Sequence, residues 1–267
     1  MTGSVARLGR LRRVREPNIL FPRPKGLVIR PAAVRAGLGE RSSMVIAPFR
    51  RSLIVVLVLA VALVPRAVAQ QEYPPPQGNG HVVVLISGTA GPEHDKDFAQ
   101  AVAVLGYDVT VFDGNAMEGK GAAALRSAIA QARQMPHALP GKVALIGLSL
   151  GGGLALAYGA LMPNDVAVDI VWYPATGFFL RLPGFASRIR VPVLMFAGEA
   201  DTYRDCCLIT TARALAAAAV AAKVPFELVT YPKTGHDFIV GGSNYNPPSY
   251  QDALDRTAAR LKAAFGG

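Results

Sequence analysis

From residue 82 onward, short apolar runs alternate with longer amphipathic or alanine-rich stretches. Val82–Ile86, Val109–Phe112, Val143–Ile146, Val166–Trp172, Val191–Phe196 and Phe226–Val229 read as strands. Their near-continuous apolarity is the pattern of parallel strands covered on both faces. Helical patterns lie between them, over about 94–105, 119–134, 150–161, 209–223 and 248–264. Such alternation predicts an α/β fold: one doubly wound, mostly parallel sheet of about six strands flanked by helices. There is no internal repeat, no second domain and no insertion long enough for a large lid, so the expectation is an open site with minimal or no lid over it.

The N-terminal third breaks this pattern. Residues 1–43 carry ten Arg or Lys, two acids and scattered prolines, and read as a basic extension outside the folded domain. Met44 opens a better organised segment. Arg50-Arg51 form a basic start, residues 53–64 are an apolar run of twelve, and Ala67-Val68-Ala69 puts small residues where a signal peptidase reads them. Residues 44–69 therefore read as a signal peptide cut after Ala69, with Met44 as the biological start. Twelve apolar residues are few for a permanent membrane span; an uncut N-terminal anchor is the alternative. The arginine pair leaves general secretory and twin-arginine export both open. Residues 70–80 are polar, contain Pro74-Pro75-Pro76, and read as a tether leading into the α/β domain over 81–267.

Export would change the meaning of the charge. Residues 1–69 hold thirteen basic and two acidic residues, whereas the whole chain is +10, so residues 70–267 come to about −1. The basic character belongs to the leader, and the remainder has no basic stripe for nucleic acid. The two cysteines, Cys206 and Cys207, are adjacent. Their spacing is too short for an ordinary cross-linking disulfide. The reading preferred here is two small buried thiols; a vicinal disulfide and an intermolecular bridge are the alternatives.

The chemistry begins at Gly147-Leu148-Ser149-Leu150-Gly151, between an apolar strand and a small-residue helix. That context is what a G-x-S-x-G nucleophile elbow requires. The glycines allow a tight turn that lifts the serine above the sheet at a helix N-terminus, which favours developing negative charge. An alcohol needs a base, and the base needs an acid to fix its tautomer. Asp201 ends the segment after the strand at 191–197, and His236 lies just past the strand at 226–231. Both fall at carboxyl ends of later strands, in the order Ser, Asp, His. Glu199 and Asp205 are competing acids, and Asp237 reads as a loop carboxylate. His94 would sit at the mouth of the site or at a helix start. Ser87-Gly88-Thr89 ends the first strand, so the backbone amides of Thr89 and Leu150 are the expected oxyanion donors. Four scattered histidines without ligand spacing argue against a metal, and no cofactor is implied.

The segments 145–152, 192–201 and 231–238 resemble, in order and spacing, the active-site segments of dienelactone hydrolase-like α/β-hydrolases, and residues 244–261 are similar to that family's closing helix. The resemblance covers roughly residues 80–265. It implies an α/β-hydrolase fold and a triad of Ser149, Asp201 and His236. Two departures stand out: the namesake enzymes use a cysteine nucleophile, and they carry a glutamate near the oxyanion strand where this chain has Ser87-Gly88-Thr89. Tyr173, Phe178 and Phe179 are the candidate substrate contacts, from an apolar segment between two strands. The expected activity is hydrolysis of a small ester, thioester or lactone by an exported serine hydrolase. A peptidase or acyltransferase with the same triad, and a non-catalytic envelope binding protein on this scaffold, are the rival readings. No nucleic-acid partner is expected, membrane contact only through an uncleaved leader, and no oligomeric state can be read from the chain.

Overall fold

The computed structural model describes residues 70–177 and 182–266. The leader (1–69), Phe178 and Phe179 lie outside the described residues. In chain order the elements are β1 (Gln71–Tyr73), β2 (Val82–Ile86), α1 (Lys96–Ala103), β3 (Asp108–Phe112), α2 (Gly114–Met117), α3 (Gly121–Ala132), β4 (Val143–Leu148) and α4 (Leu150–Tyr158). They continue with β5 (Val166–Trp172), α5 (Leu182–Ala186), β6 (Val193–Gly198), α6 (Ile209–Ala221), β7 (Phe226–Tyr231) and α7 (Pro247–Phe265).

The strands form one seven-stranded sheet in the order β1-β3-β2-β4-β5-β6-β7, parallel except for β1. The chain first winds outward from β2 to β3, then returns past β2 to β4. The loops after β2 and β4 thus diverge at a topological switch point, where α/β sheets open a crevice at the strand carboxyl ends. Ile86 pairs with Gly147 at that edge.

Two apolar layers sandwich the sheet. Val84, Leu145, Val193 and Met195 face α3, α4 and α6 through Leu125, Ile129, Leu154 and Leu215. On the other face Val83, Ile146, Ile170 and Trp172 meet α1 and α7 through Phe98, Tyr250 and Leu261. Trp172 is fully buried, 4.9 Å from both the Phe98 and Phe196 ring centres. It is a core residue rather than a wall of the site. Fully burying one such large apolar side chain contributes about 1.5–3 kcal/mol.

The seventh strand corrects the tether expected over residues 70–80. Gln71–Tyr73 pairs antiparallel with Val109–Val111, and Tyr73 is buried beside α1. Three residues with one apolar anchor in a proline-rich setting carry no period-2 signal. The apolar segment between β5 and β6, expected to supply substrate contacts, contains α5, whose Phe185 and Ala186 are buried in the core layer with α4 and α6.

Buried polar residues interrupt the apolar layers, Asp108, Thr110 and Asp169 among them. Asp169, in β5, is fully buried between Leu145 and Val193, and among the described residues neither carboxyl oxygen has a hydrogen-bond partner. Burial pushes its pKa well above the usual carboxylate value, because it disfavours the charged form. An unsatisfied buried polar group costs about 1–3 kcal/mol. Asp169→Val should therefore raise the free energy of unfolding by a similar amount, read as a higher urea midpoint at unchanged m; a lower midpoint would mean that the carboxyl has a partner in solution.

Candidate active site

The turn after β4 is shaped by close backbone approach. Ser149 has φ 51° and ψ −112°, in the left-handed half of backbone space, and caps the start of α4. A Cβ on Gly151 would lie 2.0 Å from the Ile86 carbonyl oxygen, and one on Gly147 2.5 Å from that of Gly151. The strained serine backbone is held by three hydrogen bonds. Its N–H donates to the Trp172 carbonyl, and its carbonyl accepts from Gly153 and Ala175. A residue in sparsely populated backbone space costs about 1–3 kcal/mol and persists only where its surroundings over-determine it. Here the three hydrogen bonds and the close backbone contacts at Gly147 and Gly151 supply that support.

That geometry delivers the serine hydroxyl to a histidine. Ser149 Oγ lies 2.9 Å from His236 Nε2, and His236 Nδ1 lies 2.7 Å from Asp201 Oδ2. A carboxylate only accepts, so Nδ1 carries the proton and Nε2 is left to accept from the serine. The Asp201 side chain is fully buried and that of His236 nearly so. Asp201 Oδ1 accepts from the Tyr203 N–H at 2.9 Å, which fixes the carboxylate's rotation. Tyr203 then lies face to face on the His236 ring, centroids 4.4 Å apart, while Tyr173 meets it edge-on at 4.8 Å. Of the three candidate acids, the structure brings Asp201 alone to His236. Glu199 pairs with Arg213 and Thr230, and Asp205 is exposed.

The loop after β2 completes one side of a cleft of about 230 Å³. The Gly88 N–H donates to Asp95 Oδ2 at 3.1 Å and is not available to a substrate. Among the described residues no acceptor is found for the Thr89 or Leu150 N–H, the two donors expected from the sequence. Thr89 lines the cleft and Leu150 opens α4 directly after the serine. Tyr173, also expected from the sequence, lines it too.

His94 lines the cleft, the first of the two places the sequence left open for it. Sequence reasoning missed the rest of the polar lining: Asp95, Tyr203, Asp237 and Ser243 also border the cleft. A topological signal existed for Asp95, which like His94 follows the strand beside the nucleophile strand, on the edge where the active loops gather. Of the other two histidines, His81 stacks on Phe265 and His137 pairs with Glu72 at the β1 edge, away from the cleft.

The cysteine expectation is corrected. Cys206 and Cys207 form a vicinal disulfide, both buried, behind the acid loop. Arg204 and Asp205, both in the left-handed region, turn the chain just before them. The bond closes no loop; it joins neighbours whose Cα atoms are 3.8 Å apart. Asp201, Cys207 and His236 place potential ligand atoms within 4.8 Å of one another. The sulfur is bonded to Cys206 and the other two groups to each other, so none of the three is free for a metal.

Fold and site together define an α/β-hydrolase with a Ser–His–Asp chain in its cleft. The chain belongs to the dienelactone hydrolase family, whose model matches residues 110–265, and is accordingly a hydrolase acting on ester bonds. No curated protein matches it. Solved structures of similar fold include a Klebsiella pneumoniae protein assigned as a dienelactone hydrolase, at 20% identity and TM-score 0.61 over 72% of this chain and 91% of that one. A dienelactone hydrolase-like promiscuous phosphotriesterase from metagenomic libraries matches at 18% identity and TM-score 0.61, over 73% and 92%. A propionate-bound thermophilic esterase from Thermogutta terrifontis matches at 20% identity and TM-score 0.56, over 74% and 89%.

Asp95 gives the site a pH signature. Burial raises its pKa to about 7, against the lowering effects of the Gly88 amide and His94. A carboxyl whose folded pKa exceeds its unfolded value holds its proton more tightly when folded. Its contribution is complete below about pH 4 and is lost as pH rises to about 7. Asp95→Asn has no proton to lose, so its stability relative to the parent should climb across that window, by about 2–4 kcal/mol. Urea unfolding at pH 4.5 and pH 8, roughly the two ends of that window, reads the difference; a pH-independent difference would place Asp95 in a solvated setting.

Proposed function

We propose that the protein is an exported serine hydrolase that cleaves a small carboxylic ester, thioester or lactone through an acyl-enzyme. The observation that carries this reading is the unbroken chain from Ser149 Oγ through His236 to the buried Asp201 carboxylate, at 2.9 and 2.7 Å. His236 takes the serine proton as Oγ attacks the carbonyl carbon. Asp201 orients the ring and stabilises the imidazolium. The Thr89 and Leu150 amides receive the oxyanion; each such donor contributes on the order of 3 kcal/mol of transition-state stabilisation. His236 then returns the proton to the leaving alcohol or thiol. Water, deprotonated by the same ring, releases the acid and restores the serine.

Organophosphorus reagents test this directly. The Thermogutta terrifontis esterase 2 is phosphorylated by paraoxon and phosphonylated by sarin. A fluorophosphonate probe should label the present protein on Ser149, located by peptide mass spectrometry. Ser149→Ala should abolish both labelling and p-nitrophenyl ester hydrolysis with the unfolding midpoint intact. His236→Ala and Asp201→Asn should each lower kcat by about 10³–10⁴ or more, whereas Asp205→Asn should change it little. A folded Ser149→Ala protein with parental activity would overturn the mechanism.

Export rests on the sequence pattern of residues 44–69. The reading is also supported by β1, which takes up the chain from Gln71, two residues past the expected cut. Mass spectrometry of protein from the native envelope should find an N-terminus at Gln70. Material beginning at Met1 would refute the export reading, and material beginning at Met44 would favour the uncut anchor.

A further inference from the structure

The cleft contains a second imidazole–carboxylate pair that the serine mechanism does not use. His94 Nε2 lies 3.2 Å from both oxygens of Asp237. The same carboxylate accepts from the Ser243 N–H at 2.8 Å, from Ser243 Oγ at 3.1 Å and from the Tyr173 hydroxyl at 3.5 Å. All four side chains line the cleft together with Ser149 and His236. They arrive from the β2–α1 loop, the end of β5 and the segment after β7, so three distant stretches of chain meet beside the nucleophile. Asp237 reaches this point in the left-handed region, at φ 62°. A surface ion pair would need neither that backbone geometry nor so many donors.

The direction of these hydrogen bonds sets what the wall offers a ligand. Asp237 accepts from all its partners, so Nε2 of His94 carries the ring proton and Nδ1 presents a lone pair. The Ser243 and Tyr173 hydroxyls each have one proton, and both protons point at Asp237. Burial pushes the Tyr173 phenol pKa far up, so it does not ionise and keeps that role. Asp95 adds a further carboxyl to the lining, with one oxygen already bound to Gly88. What this pair leaves to a ligand is an acceptor, the Nδ1 lone pair of His94. Among the described lining residues there is no Lys or Arg to meet an anion. With Asp95 and Asp237 both in the wall, a carboxylate-bearing substrate would meet repulsion without a compensating partner.

We propose that His94, oriented by Asp237, is the subsite for a hydroxyl group on the substrate, so that the preferred ester is small, uncharged and hydroxylated on its acyl or alcohol part. This deepens the serine-hydrolase reading and rests on it. The substrate hydroxyl donates to Nδ1 of His94 and thereby positions the carbonyl over Ser149. His94 is a specificity residue in this scheme and takes no proton in the reaction.

Two matched pairs of esters test the subsite. The acyl pair is p-nitrophenyl butyrate and p-nitrophenyl 3-hydroxybutyrate; the alcohol pair is propyl butyrate and glycerol monobutyrate. In at least one pair kcat/KM should favour the hydroxylated ester by about tenfold or more, because a site built to bind a hydroxyl discriminates against the analogue that lacks it. His94→Phe should bring that ratio to near one, whatever happens to the absolute rate. His94→Gln, whose amide can donate to Asp237 while its carbonyl accepts, should lower the ratio yet keep it above one; it decides the matter if the Phe variant does not fold. A preference in neither pair, or one that survives both substitutions, would overturn the subsite. If the parent protein hydrolyses none of the four esters and takes no fluorophosphonate label, the serine-hydrolase reading itself fails and the subsite falls with it. A labelled, active enzyme with no hydroxyl preference sinks the subsite alone.

Discussion

The approach of α4 to the end of β2 is the constraint on which the site depends. With a would-be Cβ on Gly151 only 2.0 Å from the Ile86 carbonyl, helix and strand pack backbone to backbone. The serine between them is held at φ 51°. Its left-handed φ follows from that packing, and the hydroxyl is thereby raised to meet His236. The same approach puts the Leu150 amide beside the loop that carries Thr89. Nucleophile and candidate oxyanion donors are thus consequences of one glycine-dependent contact, and they form together with the central sheet.

Around this contact the strand carboxyl ends gather three carboxylates, each with a different physical state. Asp201 is fully buried and fixed by Tyr203 N–H and His236. Asp95 is buried with fewer donors and is held near neutrality, its pKa about 7. Asp237 is partly solvated and satisfied by four donors. Burial disfavours the charged form and donors favour it, so the balance at each residue decides what it can do. One pairs with His236, one holds the Gly88 amide in the loop after β2, and one anchors a second imidazole.

The acid loop owes its shape to an unusual set of local features. Two consecutive left-handed residues, Arg204 and Asp205, turn it back toward the cleft, and the Cys206–Cys207 bond follows at once. The Cys206 carbonyl accepts from Gly177 at 2.7 Å, tying the loop to the chain that leaves β5. Tyr203 packs against the disulfide and lays its ring on His236. The result is a rigid apolar backing for the Asp201–His236 pair. Excluding water there strengthens the hydrogen bond between them.

By itself the sequence determined the parallel core, because strands buried on both faces write themselves as unbroken apolar runs: Val82–Ile86 and Val166–Trp172 have the same limits in the structure. It also determined the elbow, since only glycine permits the contacts at 147 and 151, and it singled out Asp201 and His236 through their places after β6 and β7. What stayed illegible were long-range features with no local motif at either end. β1 exists because Tyr73 finds a buried seat beside α1, which three residues cannot announce. The pairing of His94 with Asp237 spans 143 positions and follows from winding order rather than local pattern. Nor does the adjacency of Cys206 and Cys207 say whether they stand as thiols or as the disulfide they form. Local periodicity fixes which faces are buried; only closure of the sheet decides which polar groups then find one another.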